Sequence, residues 1–168
     1  MKLTRRGSIG VLGASLAGLA LRPAFADGTV VDVELWDMGE NAMDMAGDMP
    51  MKMHMPGSDM PMAPMGVKLS RAEVPAGEVT FKVTNSSKDF VHEMVVSPLA
   101  GPSEPPPYNA DMDEVDEDKA GNLGEVEDLD PGQSGQLTIT LKPGSYILYC
   151  NIPGHYTHGM WAELTVTG

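Results

Sequence analysis

From Val67 onward the chain is written in short alternating stretches, each closed by turn residues, and this limits it to an all-β fold. Val79-Thr80-Phe81-Lys82-Val83 and Leu137-Thr138-Ile139-Thr140-Leu141 place apolar residues at every second position, the period of a strand with one wet face. Pro75-Ala76-Gly77, Asn85-Ser86-Ser87, Pro131-Gly132 and Pro143-Gly144 punctuate the stretches. Residues 29–36 supply an earlier strand, His92 to Val96 and Tyr146 to Cys150 two more, and Met160 to Val166 a last one. Seven to eight short strands with frequent turns predict a Greek-key β-sandwich with little helix.

Two segments break the pattern. Residues 38–65 hold ten of the 14 methionines, together with His54 and four prolines, and read as a mobile insertion without helical or strand period. Residues 97–135 carry Pro105-Pro106-Pro107 and then ten carboxylates between Asp111 and Asp130 against Lys119 alone, which reads as a solvated acidic excursion rather than core.

The N-terminus reads as a signal peptide over residues 1–26, with the domain occupying 27–168. Lys2, Arg5 and Arg6 precede the apolar Ile9 to Leu21, and Ala24-Phe25-Ala26 fits signal peptidase cleavage. The expectation is a periplasmic or otherwise exported protein. Adjacent Arg5 and Arg6 suggest twin-arginine export, although Ser8 stands where that motif usually has phenylalanine, and Sec export is the alternative. No stretch is long and apolar enough for a membrane span. Net charge is −13 for the whole chain and about −17 for residues 27–168, which argues against nucleic acid and for basic proteins or metal cations as partners.

Cys150 is the only cysteine, so it cannot form an internal disulfide and is a buried thiol, half of an intermolecular bridge, or a ligand. It opens the sharpest motif in the chain: Cys150, then His155, then Met160, a C-x4-H-x4-M loop between two strands. Thiolate, imidazole and thioether together suit a copper ion that changes oxidation state. One loop supplies only part of a coordination sphere, and His92, at the start of a strand just after a turn, completes it. The reading is a trigonal site of His92, Cys150 and His155 with Met160 as a weak axial ligand. Zinc fits less well, because structural zinc rarely recruits methionine. A binuclear copper centre would need a second cysteine, and multicopper sites would need paired H-x-H motifs that the chain lacks. A Cys–His nucleophile finds no support if metal occupies the thiolate, so no enzyme activity is expected.

The segments Val83-Thr84-Asn85 through His92-Glu93-Met94, and Pro143 through Met160, resemble the cupredoxin family, the blue-copper proteins of the plastocyanin, azurin and rusticyanin type. The resemblance implies a Greek-key sandwich, one type 1 copper and one-electron transfer. It favours His155 over its rival His158, three residues on, and implies that His155 lies near the surface as the electron port. The methionine-rich segment and the acidic excursion depart from the simplest members.

Met43-x-Met45, Met49-x-Met51-x-Met53-x-Met55 and Met60-x-Met62 offer neutral thioethers that select soft Cu(I), which suggests an additional copper site in that segment. An adaptable apolar docking surface is the plainer reading of the same residues. Two functions follow. In the first, the protein carries electrons between redox partners, its acidic excursion docking a basic, cytochrome-like protein. In the second, it is a copper chaperone or resistance protein that hands Cu(I) to an acceptor.

Overall fold

The computed structural model describes residues 28–45 and 63–168, and within them the chain folds as a two-sheet β-sandwich. The first sheet runs in the order β2 (Met65–Leu69), β1 (Thr29–Asp37), β4 (Gly77–Asn85), β9 (Ser134–Leu141). The second runs β3 (Glu73–Pro75), β11 (Trp161–Thr167), β10 (Gly144–Tyr149), β5 (His92–Pro98), β8 (Gly124–Leu129). A short ladder of β6 (Tyr108–Asn109) with β7 (Glu114–Val115) and a one-turn helix α1 (Glu117–Ala120) complete the described elements, beside a 3-10 turn over Ala42–Asp44. The chain crosses between sheets from β2 to β3, from β3 to β4, from β4 to β5, from β8 to β9 and from β9 to β10, so neighbours in each sheet come from distant parts of the sequence.

Alternation does the sorting between core and water. Val31, Val33 and Leu35 of β1 and Val79, Phe81 and Val83 of β4 point inward, where they meet Met94, Val96, Leu148, Leu164 and Val166 from the other sheet. Strand β10 departs from alternation, with Tyr146 to Tyr149 all buried. The cause is a second, smaller core on its outer face, where Ile147 and Tyr149 pack with Val95, Val115, Ala120 and Tyr156. A strand covered on both faces has no wet side to keep polar.

That second core corrects the expectation for residues 97–135. The carboxylates do face water, but Val115 and Ala120 turn inward and roof the second sheet, and Val126 and Leu129 of β8 join the main core. Strand β8 pairs antiparallel with β5 and forms the edge of that sheet. Of the expected insertion 38–65, residues 38–45 and 63–65 are described. At its start Ala42 is buried and Met43 packs on the core, and at its end Met65 is a fully buried residue of β2 paired with Asp37. Met49, Met51, Met53, Met55, Met60, Met62 and His54 lie outside the described residues, as does the expected signal peptide. Among the described residues no helix is long and apolar enough to cross a membrane.

Candidate metal centre

Cys150 directly follows β10, His92 begins β5, and the loop from Asn151 to Met160 folds back between β10 and β11. Its conformation is fixed from within. The Cys150 N–H donates to the Met160 carbonyl at 3.0 Å, the Met160 N–H to the His155 carbonyl at 3.1 Å, and the His155 N–H to the Ile152 carbonyl at 2.9 Å. Two turns in the loop need glycine. Gly159 has φ +95°, and a Cβ there would lie 2.5 Å from the Ala63 Cβ; Gly154 has φ +84°, with Met43 Cε 2.8 Å from the same hypothetical atom. Asn151 then clamps the loop to β7, accepting from the Val115 N–H at 2.7 Å and donating to the Val115 carbonyl at 3.1 Å.

The turn that delivers His92 is held by Asn85, whose side chain is fully buried. Its amide donates to the carbonyls of Phe90 (2.9 Å) and Leu129 (2.8 Å), and its oxygen accepts from the Ser87 N–H at 2.9 Å. All its polar atoms are thereby satisfied in a place where an unpaired amide would be costly.

These elements bring three donors together. Among the described residues, His92, Cys150 and His155 place their ligand atoms within 4.8 Å of one another, and all three are buried. The Nδ1 atoms of His92 and His155 are 3.2 Å apart, and Cys150 Sγ lies 3.3 Å from His155 Nδ1 and 4.0 Å from His92 Nδ1. The centre of a triangle with those sides is about 2 Å from each corner, an ordinary metal–ligand distance for nitrogen and sulfur donors. Met160 is fully buried in the core cluster that contains Cys150. His158 is not drawn in, its Nδ1 being engaged 2.7 Å from the Gly154 carbonyl.

Charge at the site is arranged for a cation. Burial pushes the Cys150 thiol up to about 12 in the absence of metal, despite N–H donors from Glu93 and Ile152. Burial likewise lowers His155 to about 4, helped by His92 and His158, and lowers His92, so both imidazoles are neutral at pH 7 and able to ligate. A buried thiol flanked by two neutral imidazoles is a donor set for a thiophilic ion, and with a methionine at hand copper fits it.

Several contributors are absent from the motif. The Glu93 N–H points at Cys150 Sγ over 3.5 Å, while its carboxylate, pushed up to about 7 by burial, accepts from the Asn151 N–H at 3.0 Å. Asp37, at the end of β1, lies 2.9 Å from His92 Nε2. Burial would raise the Asp37 carboxyl, but hydrogen bonds from Ser87, His92 and Gly39 outweigh it and hold the group below the usual carboxylate range. His155 also differs from expectation in one respect: it is 4% exposed, with the Phe90 ring edge-on at 6.0 Å between centroids, and so is covered rather than open.

Comparison with known proteins agrees with this geometry. Auracyanin-B of Chloroflexus aurantiacus is 50% identical over 40 residues, a match that spans 23% of this chain and 17% of that protein. A structure of reduced rusticyanin superposes with a TM-score of 0.51 at 22% identity, covering 82% of this chain and 78% of that one. Rusticyanin from Thiobacillus ferrooxidans gives 0.50 at 19% identity, covering 82% and 76%. These likenesses establish the cupredoxin-like sandwich. A family model for copper binding proteins of the plastocyanin/azurin type matches residues 51–167, most of the chain, and with the buried His92, Cys150 and His155 cluster it places this protein in the cupredoxin family, with one type 1 copper as its cofactor.

Proposed function

We propose that the chain is an exported one-electron carrier whose copper is held by His92, Cys150 and His155, with Met160 as axial ligand. The observation that carries this reading is the convergence of two imidazole nitrogens and one sulfur, all buried, on a point about 2 Å from each. Copper supplies the one-electron chemistry by alternating between Cu(II) and Cu(I). The protein's contribution is to hold the donors still: loop hydrogen bonds, two left-handed glycines and the Asn85 clamp fix the positions of the donor side chains without the help of a metal. Donors that need not move keep the reorganisation small, and the Glu93 N–H favours the thiolate.

The acidic stretch gives the partner its chemistry. Asp113 sits against the ligand loop, its carbonyl accepting from the Gly154 N–H at 2.9 Å and its carboxylate accepting from Thr157 at 3.4 Å. A basic redox protein drawn to Asp111, Asp113 and Glu114 would therefore arrive beside the loop that carries His155. The copper-delivery reading rests mainly on methionines outside the described residues, and the preorganised site favours electron transfer over it.

The test is self-exchange between oxidised and reduced copper-loaded protein, followed by NMR line broadening, with isotopically labelled copper in one pool. Fast electron exchange with copper staying in place is expected. Copper migrating between molecules while electrons exchange slowly would contradict the carrier reading.

A further inference from the structure

In strand β1 the inward positions run Val31, Val33 and Leu35, and the next residue in that register, Asp37, is an acid. Its side chain is 1% exposed. Placing a carboxylate there is costly unless it is fully paired, and the structure shows where its bonds go. Asp37 Oδ1 accepts from the Gly39 N–H at 2.7 Å, Oδ2 lies 2.9 Å from His92 Nε2, and the Ser87 hydroxyl donates as well. Among the described residues the lysine ion pairs fall elsewhere, on Glu34 and Asp116. The carboxylate is thus balanced by dipoles and by the imidazole, and nothing about packing β1 requires it to be charged.

The geometry points to Asp37 as the positioning residue of the copper centre: its carboxylate holds His92 in the Nε2–H tautomer, aims Nδ1 at Cys150 and His155, and lowers the reduction potential. The proposal rests on His92 being a ligand. A carboxylate that accepts from the far nitrogen of a ligating histidine fixes its ring and raises its basicity. The sign of the electronic effect follows from charge. Two neutral imidazoles and a thiolate leave the oxidised centre at +1 and the reduced centre at 0, so a buried negative charge beside them stabilises the oxidised form. It opposes the burial and the methionine thioether, which favour Cu(I). Asp37 is also paired in register with Met65, at the point where the chain returns from the methionine-rich segment. The ends of that segment are therefore tied to the residue behind His92.

The experiment compares the full chain with Asp37→Asn, an isostere without the charge, by spectroelectrochemistry of the copper-loaded proteins. The variant is expected to keep its intense charge-transfer band while its preference shifts towards Cu(I) tenfold or more, which is 59 mV upward for a one-electron couple. A blue variant whose preference changes less than twofold would overturn the proposal even if its melting temperature fell, since a merely structural role moves stability and not potential. If Asp37→Asn fails to fold, nitrogen-15 shifts of His92 in the metal-free wild-type chain decide: a slowly exchanging Nε2–H supports the proposal, and a proton on Nδ1 overturns it. A copper-loaded wild-type protein without the band would overturn the ligand reading itself, and this proposal with it.

Discussion

With Cys150 pushed up to about 12, the metal-free protein holds a protonated thiol at pH 7, and with His155 near 4 its imidazole carries no extra proton to lose. Loading Cu(II) must therefore expel about one proton, from sulfur. Calorimetry in buffers of different ionisation enthalpy should find close to one proton released at pH 7. Apparent affinity should rise about tenfold per pH unit between pH 7 and 9, because the thiol stays protonated across that range until metal displaces its proton. Release of no proton would mean that sulfur is not a ligand. Asn85 offers a second test at this scale. Asn85→Ala strands two buried carbonyls and one N–H, and should cost about 2–4 kcal/mol in denaturant unfolding of the metal-free protein. A loss below about 1 kcal/mol would show that water replaces the amide. Three of the proposed ligands were legible because donor type and the C-x4-H-x4-M spacing are local properties, whereas His92, 58 residues before Cys150, was reached from the need for a further imidazole and its place just after a turn. Asp37 was not read, since it acts across a fold that joins residues far apart in sequence, and Asn85 was read only as a turn residue, its bond to the Leu129 carbonyl 44 residues on having no local sign. Asp37 did leave a trace: an acid on the apolar register of Val31, Val33 and Leu35.

Among the elements, the ligand loop is the one whose shape the chemistry depends on. Gly159→Ala combines a φ of +95° with a Cβ 2.5 Å from the Ala63 Cβ and 3.4 Å from the Met65 carbonyl oxygen, and neither of these is the end of a flexible side chain. The variant should lose about 1–3 kcal/mol in thermal unfolding and bind copper more weakly, as the turn before Met160 opens. Unchanged stability would mean that the backbone around Ala63 yields freely. Strands β4 and β9 were readable from their alternation, and β10 from the Pro143-Gly144 turn that opens it. Strand β8 was hidden inside the acidic run, because only Val126 and Leu129 of its six residues face the core. Its partner surface is equally inconspicuous: Gly135 of β9 leaves room for Val126, whose Cγ1 would be 2.5 Å from a Cβ there. Composition averages over both faces of such a strand and reports only the wet one.

For the whole molecule, the net charge of −13 and the carboxylates from Asp111 to Asp130 set the long-range field. Reduction by a basic cytochrome should slow about tenfold between low salt and 0.2 M, as steering is screened. A rate that rises with salt would remove the acidic stretch from the docking face. The sandwich was predictable from strand count and turn chemistry, but which strands share a sheet was not, because the pairing of β1 with β4 and of β10 with β5 joins distant segments. The most direct test of the central claim is the visible spectrum of the Cu(II)-loaded protein beside a Cys150→Ser variant. The thiolate-and-two-imidazole centre predicts an intense charge-transfer band in the wild type that disappears in the variant. A pale wild-type protein, or a band that survives loss of the sulfur, would contradict it.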